Sequence, residues 1–281
     1  AYHVIENALN KKWEVHAGIR NQSDTAHLSH FNIKIVTLNY TDIKSLHALI
    51  QQEKYDYIIH TAAATKAKNQ EQYNIINATY THNLLQAIQN ISVEKFVFIS
   101  SLAAIGPIHY SLNDCITEAS PKQPVTQYGK SKLLAEQYCE QFHDIPWVII
   151  RPTAVYGERE KDLLVQIKTI KRGIDPYIGS HQQRFSFVYA GDLANVILNA
   201  CESSKSTHNA YNISDGYSYD KFTFSEIAKK QLNKKVLKLT IPISWAHFFG
   251  NLYEQFSRNT PLINKDKINE LREIALKTLY D

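Results

Sequence analysis

A tyrosine and a lysine, Tyr128 and Lys132, stand four residues apart in a segment whose pattern predicts a helix. That spacing places both side chains on one helical face, one turn apart. A free phenol has a pKa of about 10, and a nearby ammonium lowers that pKa because it favours the phenolate. The pair is suited to proton transfer between an alcohol and a ketone. The same spacing also occurs by chance in exposed helices, so other parts of the chain must distinguish the two interpretations.

The composition is that of an ordinary globular protein. The chain has 281 residues, 44% of them hydrophobic and 21% charged, and its formal net charge is +4. Its basic residues are scattered, so we expect no nucleic-acid surface. Three cysteines lie far apart in the sequence, which predicts a reducing, cytoplasmic setting. No apolar run reaches the length of a membrane span and no signal peptide is visible, so no membrane partner is expected.

The histidines do not predict a metal site. His27 and His30 have the spacing of a ligand pair, but no third ligand stands near them in the sequence. Protein sites for metals such as zinc generally take three or four side chains. We therefore expect no bound metal.

Short β-branched or aromatic runs alternate with helical patterns in the first half of the chain. Strands are predicted at 15–19, 34–38, 57–60, 96–100 and 147–150, and helices at 2–11, 43–52, 71–88 and 127–142. This alternation predicts an α/β fold with a Rossmann-type doubly wound parallel sheet. Ligands of such sheets bind beyond the carboxyl ends of the strands.

The pattern loosens after residue 152. Helices are predicted at 162–171 and 192–203, strands at 185–189 and 211–214, and mostly helix from 224 to 279. The last stretch carries an aromatic patch that we expect to pack in a core, formed by Trp245, Phe248, Phe249, Tyr253 and Phe256. We thus predict a dinucleotide-binding domain at 1–152 and a smaller, mostly helical substrate-binding lobe at 153–281, with some segments returning to the first domain.

Several motifs keep the order and spacing of a known family. The segments 98–106 and 151–157, with Tyr128-x-x-x-Lys132 between them, resemble the extended short-chain dehydrogenase/reductase family of NAD(P)-dependent sugar epimerases and dehydratases. The segments 60–63, 77–85 and 187–194 resemble further motifs of that family. The resemblance covers most of the chain and implies a nicotinamide-dependent enzyme.

The resemblance also implies roles for individual residues. Tyr128 would be the general acid and base, and Lys132 would lower its pKa and bond the nicotinamide ribose. Ser101 would hold the substrate oxygen, and its neighbour Ser100 would be structural. Asn77 would either contact the substrate or serve as a buried structural amide.

Cofactor positions follow in the same way. Ala62 and Ala63 would line the cofactor, Pro152 and Thr153 would pack beside the nicotinamide, and Asn39 would accept the adenine amine. Arg20 stands where an acidic residue usually bonds the ribose of NAD, which slightly favours NADP over NAD, although Arg20 also suits a solvent-facing position.

The family's glycine-rich phosphate turn is not found in the sequence. Ala1 aligns with its third glycine, so we expect the first strand and the first two glycines to lie upstream of Ala1. A protein that dispenses with this turn is the alternative.

Two departures from the family's motifs narrow the range of expected reactions and substrates. Leu102 and Ala103 replace the Asp-Glu pair of sugar dehydratases and cannot move protons, which argues against dehydration. Phe185 replaces an arginine that binds the diphosphate in UDP-sugar epimerases. Arg184, one residue away, faces the other side of a strand, although from the loop it could still reach an anion of the substrate.

The sequence therefore predicts an NAD(P)-dependent epimerase, or a carbonyl reductase or alcohol dehydrogenase. Its substrate would be a sugar nucleotide or a related small hydroxy or keto compound. The alternative is a non-catalytic NAD(P)-binding sensor or scaffold. The resemblance also implies a homodimer through the helices at 71–88 and 127–142.

Overall fold

The computed structural model describes residues 1–21, 23–107, 115–160, 162–178 and 184–241. Its elements in chain order are α1 (Tyr2–Asn10), β1 (His16–Ile19), β2 (Lys34–Thr37), α2 (Ile43–Glu53), β3 (Tyr57–His60), α3 (Gln70–Asn74), α4 (Tyr80–Ile88), β4 (Lys95–Ile99), α5 (Gln127–Gln141), β5 (Trp147–Pro152), β6 (Ala154–Tyr156), α6 (Asp162–Lys171), β7 (Ile174–Ile178), β8 (Arg184–Phe185), β9 (Phe187–Tyr189), α7 (Ala190–Glu202), β10 (Asn209–Ile213), β11 (Tyr219–Asp220), α8 (Thr223–Leu232) and β12 (Leu237–Ile241). A π-helical turn, Ile75–Thr79, joins α3 to α4, and a 3₁₀ turn, Leu102–Ala104, follows β4.

Four parallel strands form the central sheet, in the order β10, β5, β4, β3. In the register, Phe96 of β4 lies between Ile58 of β3 and Trp147 of β5. Because all four strands run the same way, their carboxyl ends share one edge. The residues after β3, β4 and β5 therefore meet there, as the sequence predicted.

Helices cover both faces of this sheet. Phe96 and Phe98 of β4 pack with residues of α2, α4 and α5 in one core cluster. Val97 of β4 points to the opposite face and packs with residues of α7 in a second cluster. Since both faces are buried, β3, β4 and β5 are apolar at most positions. The predicted Rossmann-type, doubly wound arrangement is confirmed.

The strands β1 and β2 form a separate parallel pair beside the central sheet. Nδ1 of His16 lies 2.9 Å from the hydroxyl oxygen of Tyr55, and Trp13 stacks on Tyr57 with the ring centroids 4.9 Å apart. Within the described ranges, β1 pairs only with β2, and β3 pairs only with β4. Side-chain contacts, and not backbone pairing, therefore join the β1 segment to the β3 segment.

Residues 154–160, 162–178, 184–189 and 219–241, called the second region below, contain short strand pairs. β6 pairs with β9 and β7 with β12, both parallel, and β8 pairs with β11 antiparallel. Leu237–Ile241 is thus a strand where helix was predicted, because apolar residues that alternate with Lys238 and Thr240 suit a strand that pairs with β7. The predicted aromatic patch from Trp245 to Phe256 lies outside the described residues.

A buried carboxylate, Asp175, organises this second region. It accepts hydrogen bonds from Tyr177 at 2.6 Å and Ser225 at 2.9 Å, and Nζ of Lys229 lies 2.6 Å from its Oδ2. Burial alone would raise the pKa of Asp175, but the hydrogen bonds from Lys229, Tyr177 and Ser225 together lower it below its usual value. The cluster joins β7 to α8. None of the described helices is long and apolar enough to cross a membrane.

Candidate active site

The helix α5 carries Tyr128 and Lys132 and begins at a capped turn. Thr126 is its N-cap, and Oγ1 of Thr126 accepts a hydrogen bond from the Gly129 amide at 2.9 Å. A side chain at position 129 would place its Cβ 2.2 Å from the carbonyl oxygen of Ala103. Glycine therefore lets the first turn of α5 lie against the 3₁₀ turn after β4.

This close approach brings Tyr128 to Ser101. Ser101 follows β4 and caps the 3₁₀ turn, where its Oγ accepts a hydrogen bond from the Ala103 amide at 3.2 Å. The side chains of Tyr128 and Ser101 lie close enough for Ser101 to act on the pKa of Tyr128. Both side chains are half-buried. A phenol and a hydroxyl thus meet at the carboxyl edge of the sheet, and together they can bind one substrate oxygen.

The protonation of Tyr128 differs from the sequence-based expectation. Burial raises the pKa of Tyr128 to about 12, against the hydrogen bond from Ser101, which lowers it. Burial dominates in this arrangement, so the lowered pKa that was expected from Lys132 is not seen here. Tyr128 therefore keeps its proton at neutral pH and is a proton donor here.

Lys132 is buried one turn further along α5. Its Nζ donates to the carbonyl oxygen of Ile99 at 2.6 Å and lies 4.2 Å from the centroid of the Phe98 ring. Burial lowers the pKa of Lys132 to about 7, and the charge of Glu136 opposes that shift. The charge on Lys132 therefore depends strongly on the groups around it.

A fully buried ion pair stands behind these residues. Arg151 of β5 donates from Nε and Nη2 to the two carboxylate oxygens of Glu136, at 2.9 and 2.8 Å. Oγ of Ser100 donates to Oε1 of Glu136 at 2.6 Å. The expected structural role of Ser100 fits this bond. Glu136 was not singled out from the sequence, although it follows Tyr128 and Lys132 at the same four-residue spacing, which marks a helical face.

The π-helical turn before α4 presents Asn77 to the site from behind. The Asn77 amide accepts from the Ala64 amide at 2.7 Å and donates to the Ala64 carbonyl at 3.0 Å and to Oγ of Ser131 at 2.9 Å. Asn77 is completely buried. Of the two predicted roles, the buried structural amide matches this geometry. Asn77 fixes the loop after β3 against α5.

The predicted nicotinamide positions gather at the same edge as Ser101. Ala62 and Ala63 follow β3 and are exposed, and Pro152 ends β5 and is buried. Thr153 is half-buried and donates to the carbonyl of Ile213 at 3.2 Å. The side chains of Ala62 and Ala63 are small and exposed, so the residue types at this edge fit a nicotinamide.

The predicted adenosine positions lie elsewhere, at the ends of β1 and β2 and at α1. Arg20 is exposed after β1. Asn39 follows β2, and its side-chain oxygen accepts from the amide and the hydroxyl of Thr41, at 3.1 and 2.7 Å. Ala1 is exposed and caps α1, where its carbonyl accepts from the Ile5 amide at 3.0 Å. The oxygen of Asn39 is therefore already engaged within the protein.

Arg184, a predicted substrate contact, lies in the second region. It is exposed on β8, opposite Asp220 of β11, and its neighbour Phe185 is also exposed. In the described part of the chain, no group of three His, Cys, Asp or Glu side chains is arranged to hold a metal ion.

A family model matches residues 1–214, and its description is the NAD dependent epimerase/dehydratase family. The chain belongs to this family. The match includes every predicted catalytic and cofactor position. The membership accords with the resemblance drawn from the motifs, and with the parallel sheet whose carboxyl edge holds Ser101.

Among curated relatives, the dTDP-D-glucose 4,6-dehydratase of Mus musculus is 29% identical over 219 residues, which cover 74% of this chain and 58% of the relative. The N-acetyl-alpha-D-glucosaminyl-diphospho-ditrans,octacis-undecaprenol 4-epimerase of Escherichia coli O157:H7 is 25% identical over 241 residues, covering 83% of this chain and 71% of the relative. The chain spans 58% of the length of the mouse relative and 62% of that of protein y4nL from Sinorhizobium fredii.

Solved structures share the fold. The UDP-glucose 4-epimerase of Thermus thermophilus, in complex with NAD, matches with a TM-score of 0.75 and 21% identity over 85% of this chain and 82% of its own. The UDP-glucuronic acid 4-epimerase of Bacillus cereus, in complex with UDP-glucuronic acid and NAD, matches with a TM-score of 0.74 and 21% identity over 97% and 95%. At these identities the likeness establishes the shared fold.

Proposed function

We propose that the protein is an NAD(P)-dependent enzyme that epimerises a sugar nucleotide by transient oxidation of a ring hydroxyl. The observation that carries this proposal is that Ser101, which follows β4, and Tyr128, in the first turn of α5, lie together, with Lys132 one turn away on α5. Family membership over residues 1–214 supports the same chemistry.

In this mechanism Ser101 and Tyr128 bind the oxygen of the reacting hydroxyl. As the phenolate, Tyr128 would take the proton of this hydroxyl during oxidation, and as the phenol it would return the proton during reduction. Bound NAD(P) would supply the acceptor and donor of hydride at its nicotinamide ring. The raised pKa of Tyr128 favours the return of the proton, whereas the positive charge of Lys132 favours the phenolate that accepts it.

Dehydration is disfavoured by the turn after Ser101. Leu102 and Ala103 occupy this 3₁₀ turn, and neither side chain can donate or accept a proton. Elimination of water from a sugar needs an acid and a base close to the reacting carbons. The mouse relative is a dehydratase by name. The residues of this turn therefore favour epimerisation over dehydration for the protein described here.

We propose NAD as the cofactor, held by Ala62, Ala63, Pro152, Thr153 and Lys132 at the nicotinamide end. Ala1, Arg20 and Asn39 would face the adenosine end. The slight preference for NADP that Arg20 suggested gains no support from the related structures, whose complexes contain NAD.

The substrate and the assembly belong to the same proposal. The complex of the Bacillus cereus epimerase with UDP-glucuronic acid supports a nucleotide sugar as the substrate class. Residues 153–281 would form most of the substrate-binding lobe, with Arg184 near the diphosphate. The dimer would form through α4 and α5.

The test is incubation of the purified protein with NAD or NADP and a panel of UDP- and dTDP-sugars, with products analysed by NMR and cofactor reduction followed at 340 nm. We expect the 4-epimer of one sugar with NAD and no net NADH. Stoichiometric consumption of NADH or NADPH with a keto substrate would instead identify a reductase. Cofactor binding without turnover of any substrate, unchanged by Tyr128→Phe, would identify a sensor and contradict the proposal.

A further inference from the structure

Glu136 is a carboxylate with no exposed surface in the middle of the site's supporting layer. Arg151 holds both of its oxygens, and Ser100 donates to one of them at 2.6 Å. Nζ of Lys122 lies 3.5 Å from its other oxygen. Three segments of the chain therefore converge on one buried carboxylate.

Two of the partners of Glu136, Ser100 and Arg151, are direct neighbours in the sequence of candidate site residues. Ser100 directly precedes Ser101, and Arg151 directly precedes Pro152. Glu136 itself follows Lys132 by one turn on α5. The distance between the hydroxyl of Ser101 and the phenol of Tyr128 depends on how the end of β4 sits against α5, and the bond from Ser100 to Glu136 fixes that placement.

The charge of Glu136 also acts on Lys132. The groups that face Lys132 are Glu136 and Cys139 on its own helix and His60 on β3, with Arg151 of β5 behind Glu136. Of the groups that oppose the effect of burial on Lys132, Glu136 contributes most.

We propose that Glu136 is a positioning residue of the active site, which holds Ser101 against Tyr128 and, one turn along α5, favours the ammonium form of Lys132. This inference rests on the proposed function for its effect on turnover. Removing a buried negative charge makes every neighbouring group easier to deprotonate. Without Glu136, activity that needs a charged Lys132 is lost at a lower pH.

The experiment compares Glu136→Gln, which keeps the shape and removes the charge, with Asp175→Asn as the matched control in the second region. For Glu136→Gln we expect kcat to fall about 10- to 100-fold with KM changed less than about threefold, and the alkaline limb of the kcat profile to move to lower pH. Asp175→Asn is expected to leave kcat per folded molecule and the pH profile unchanged. Folded protein is quantified by circular dichroism in each case.

A second variant, Ser100→Ala, removes one hydrogen bond and keeps the charge. We expect kcat to fall about 3- to 10-fold with an unchanged pH profile. If Glu136→Gln does not fold, unchanged turnover in Ser100→Ala overturns the positioning role. If Glu136→Gln folds and keeps the parent's kcat and pH profile, the proposal is wrong.

A readout that needs no turnover separates this inference from the proposed function. In the parent and in a folded carboxylate variant, Glu136→Gln or else Glu136→Asp, the pKa of Lys132 is measured by ¹³C NMR of labelled lysine side chains. A pKa that is lower without the native carboxylate supports the electrostatic part even if no sugar nucleotide is turned over. An unchanged pKa refutes it, while failure of the sugar panel alone refutes only the proposed function.

Discussion

Among the residues that the structure describes, two carboxylates are fully buried, Glu136 in the central sheet region and Asp175 in the second region, and they have similar surroundings. Each accepts several hydrogen bonds and has a cationic partner, Arg151 or Lys229. The partners of Glu136 adjoin the candidate catalytic residues, whereas those of Asp175 join only β7 to α8. The same local chemistry therefore lies behind the candidate active site in one region and joins a strand to a helix in the other.

The burial of each carboxylate carries a large energetic consequence. Removing one partner of a buried ion pair generally costs about 3 to 5 kcal/mol, because the other charge is left without compensation. Lys229 retains some exposed surface while Arg151 is almost completely buried. Loss of the carboxylate should therefore be tolerated better in the second region, where the freed ammonium can reach water.

The largest expected contrast is between two tyrosines. Tyr128→Phe should lower kcat by about 10²- to 10⁴-fold, because it removes the proton donor, with little change in NAD affinity. Tyr177→Phe removes a bond to a charged group and should lower the free energy of unfolding by about 1.5 to 3 kcal/mol, with kcat per folded molecule retained. Steady-state kinetics and urea unfolding measure both. An equal loss of kcat in the two variants would contradict the distinction between the two regions.

Two glycines give the next contrast. Gly129→Ala would place a Cβ 2.2 Å from the Ala103 carbonyl oxygen, so α5 must move away from Ser101. Because a displacement of about 1 Å can cost on the order of 100-fold in rate, we expect kcat to fall by that amount.

The control is Gly173→Ala in the second region. Gly173 has φ of +92° and open space around its Cβ position, so the cost is backbone strain of about 1 to 2 kcal/mol with activity retained. Thermal unfolding and initial rates are the measurements. A Gly129→Ala variant with the parent's kcat would show that the close approach of α5 does not matter for turnover.

The smallest effect is a pH dependence in the second region. Asp175→Asn should lower the free energy of unfolding at pH 7 by about 1 to 3 kcal/mol. The folded protein holds the pKa of Asp175 below the reference value of 3.8. Its charge therefore stabilises the fold fully above that pH, and the stabilisation is lost as the pH falls through the folded pKa. Differences in urea unfolding between parent and variant should thus shrink as the pH falls below 3.8, and a constant difference would contradict this account.

Sequence patterns located the central elements well because burial leaves a periodic signal. The strand Tyr57–His60 and the helix Asp162–Lys171 have the predicted bounds. The strand at Ile174–Ile178 was missed, since it contains Pro176, which counts against a strand. The strand at Leu237–Ile241 was missed although its apolar residues alternate, because its pairing with β7 depends on residues far away in the chain.

The sequence predicted which residues form the candidate site better than it predicted their pKa values. The pairing of Ser101 with Tyr128 was expected from the family resemblance, and in the structure Ser101 follows β4 while Tyr128 lies in the first turn of α5. The raised pKa of Tyr128 and the lowered pKa of Lys132 arise from burial, which spacing does not reveal. Glu136 escaped notice because a glutamate on a helix is usually solvated, and only the packed structure brings Arg151 and Ser100 to it.

The π-helical turn at Ile75–Thr79 divides the helix through residues 70–88 into two halves. The side chains of one half are rotated about the helix axis relative to those of the other. Each residue of an α-helix advances the side chain by about 100°, and a π turn holds one residue more than an α turn. Tyr73, before the turn, bonds the Thr65 carbonyl in the loop after β3, whereas Leu84 and Leu85, after it, lie in the core. Loss of one residue from this turn would preserve the length of either half, yet it would rotate one face of the helix away from its neighbours.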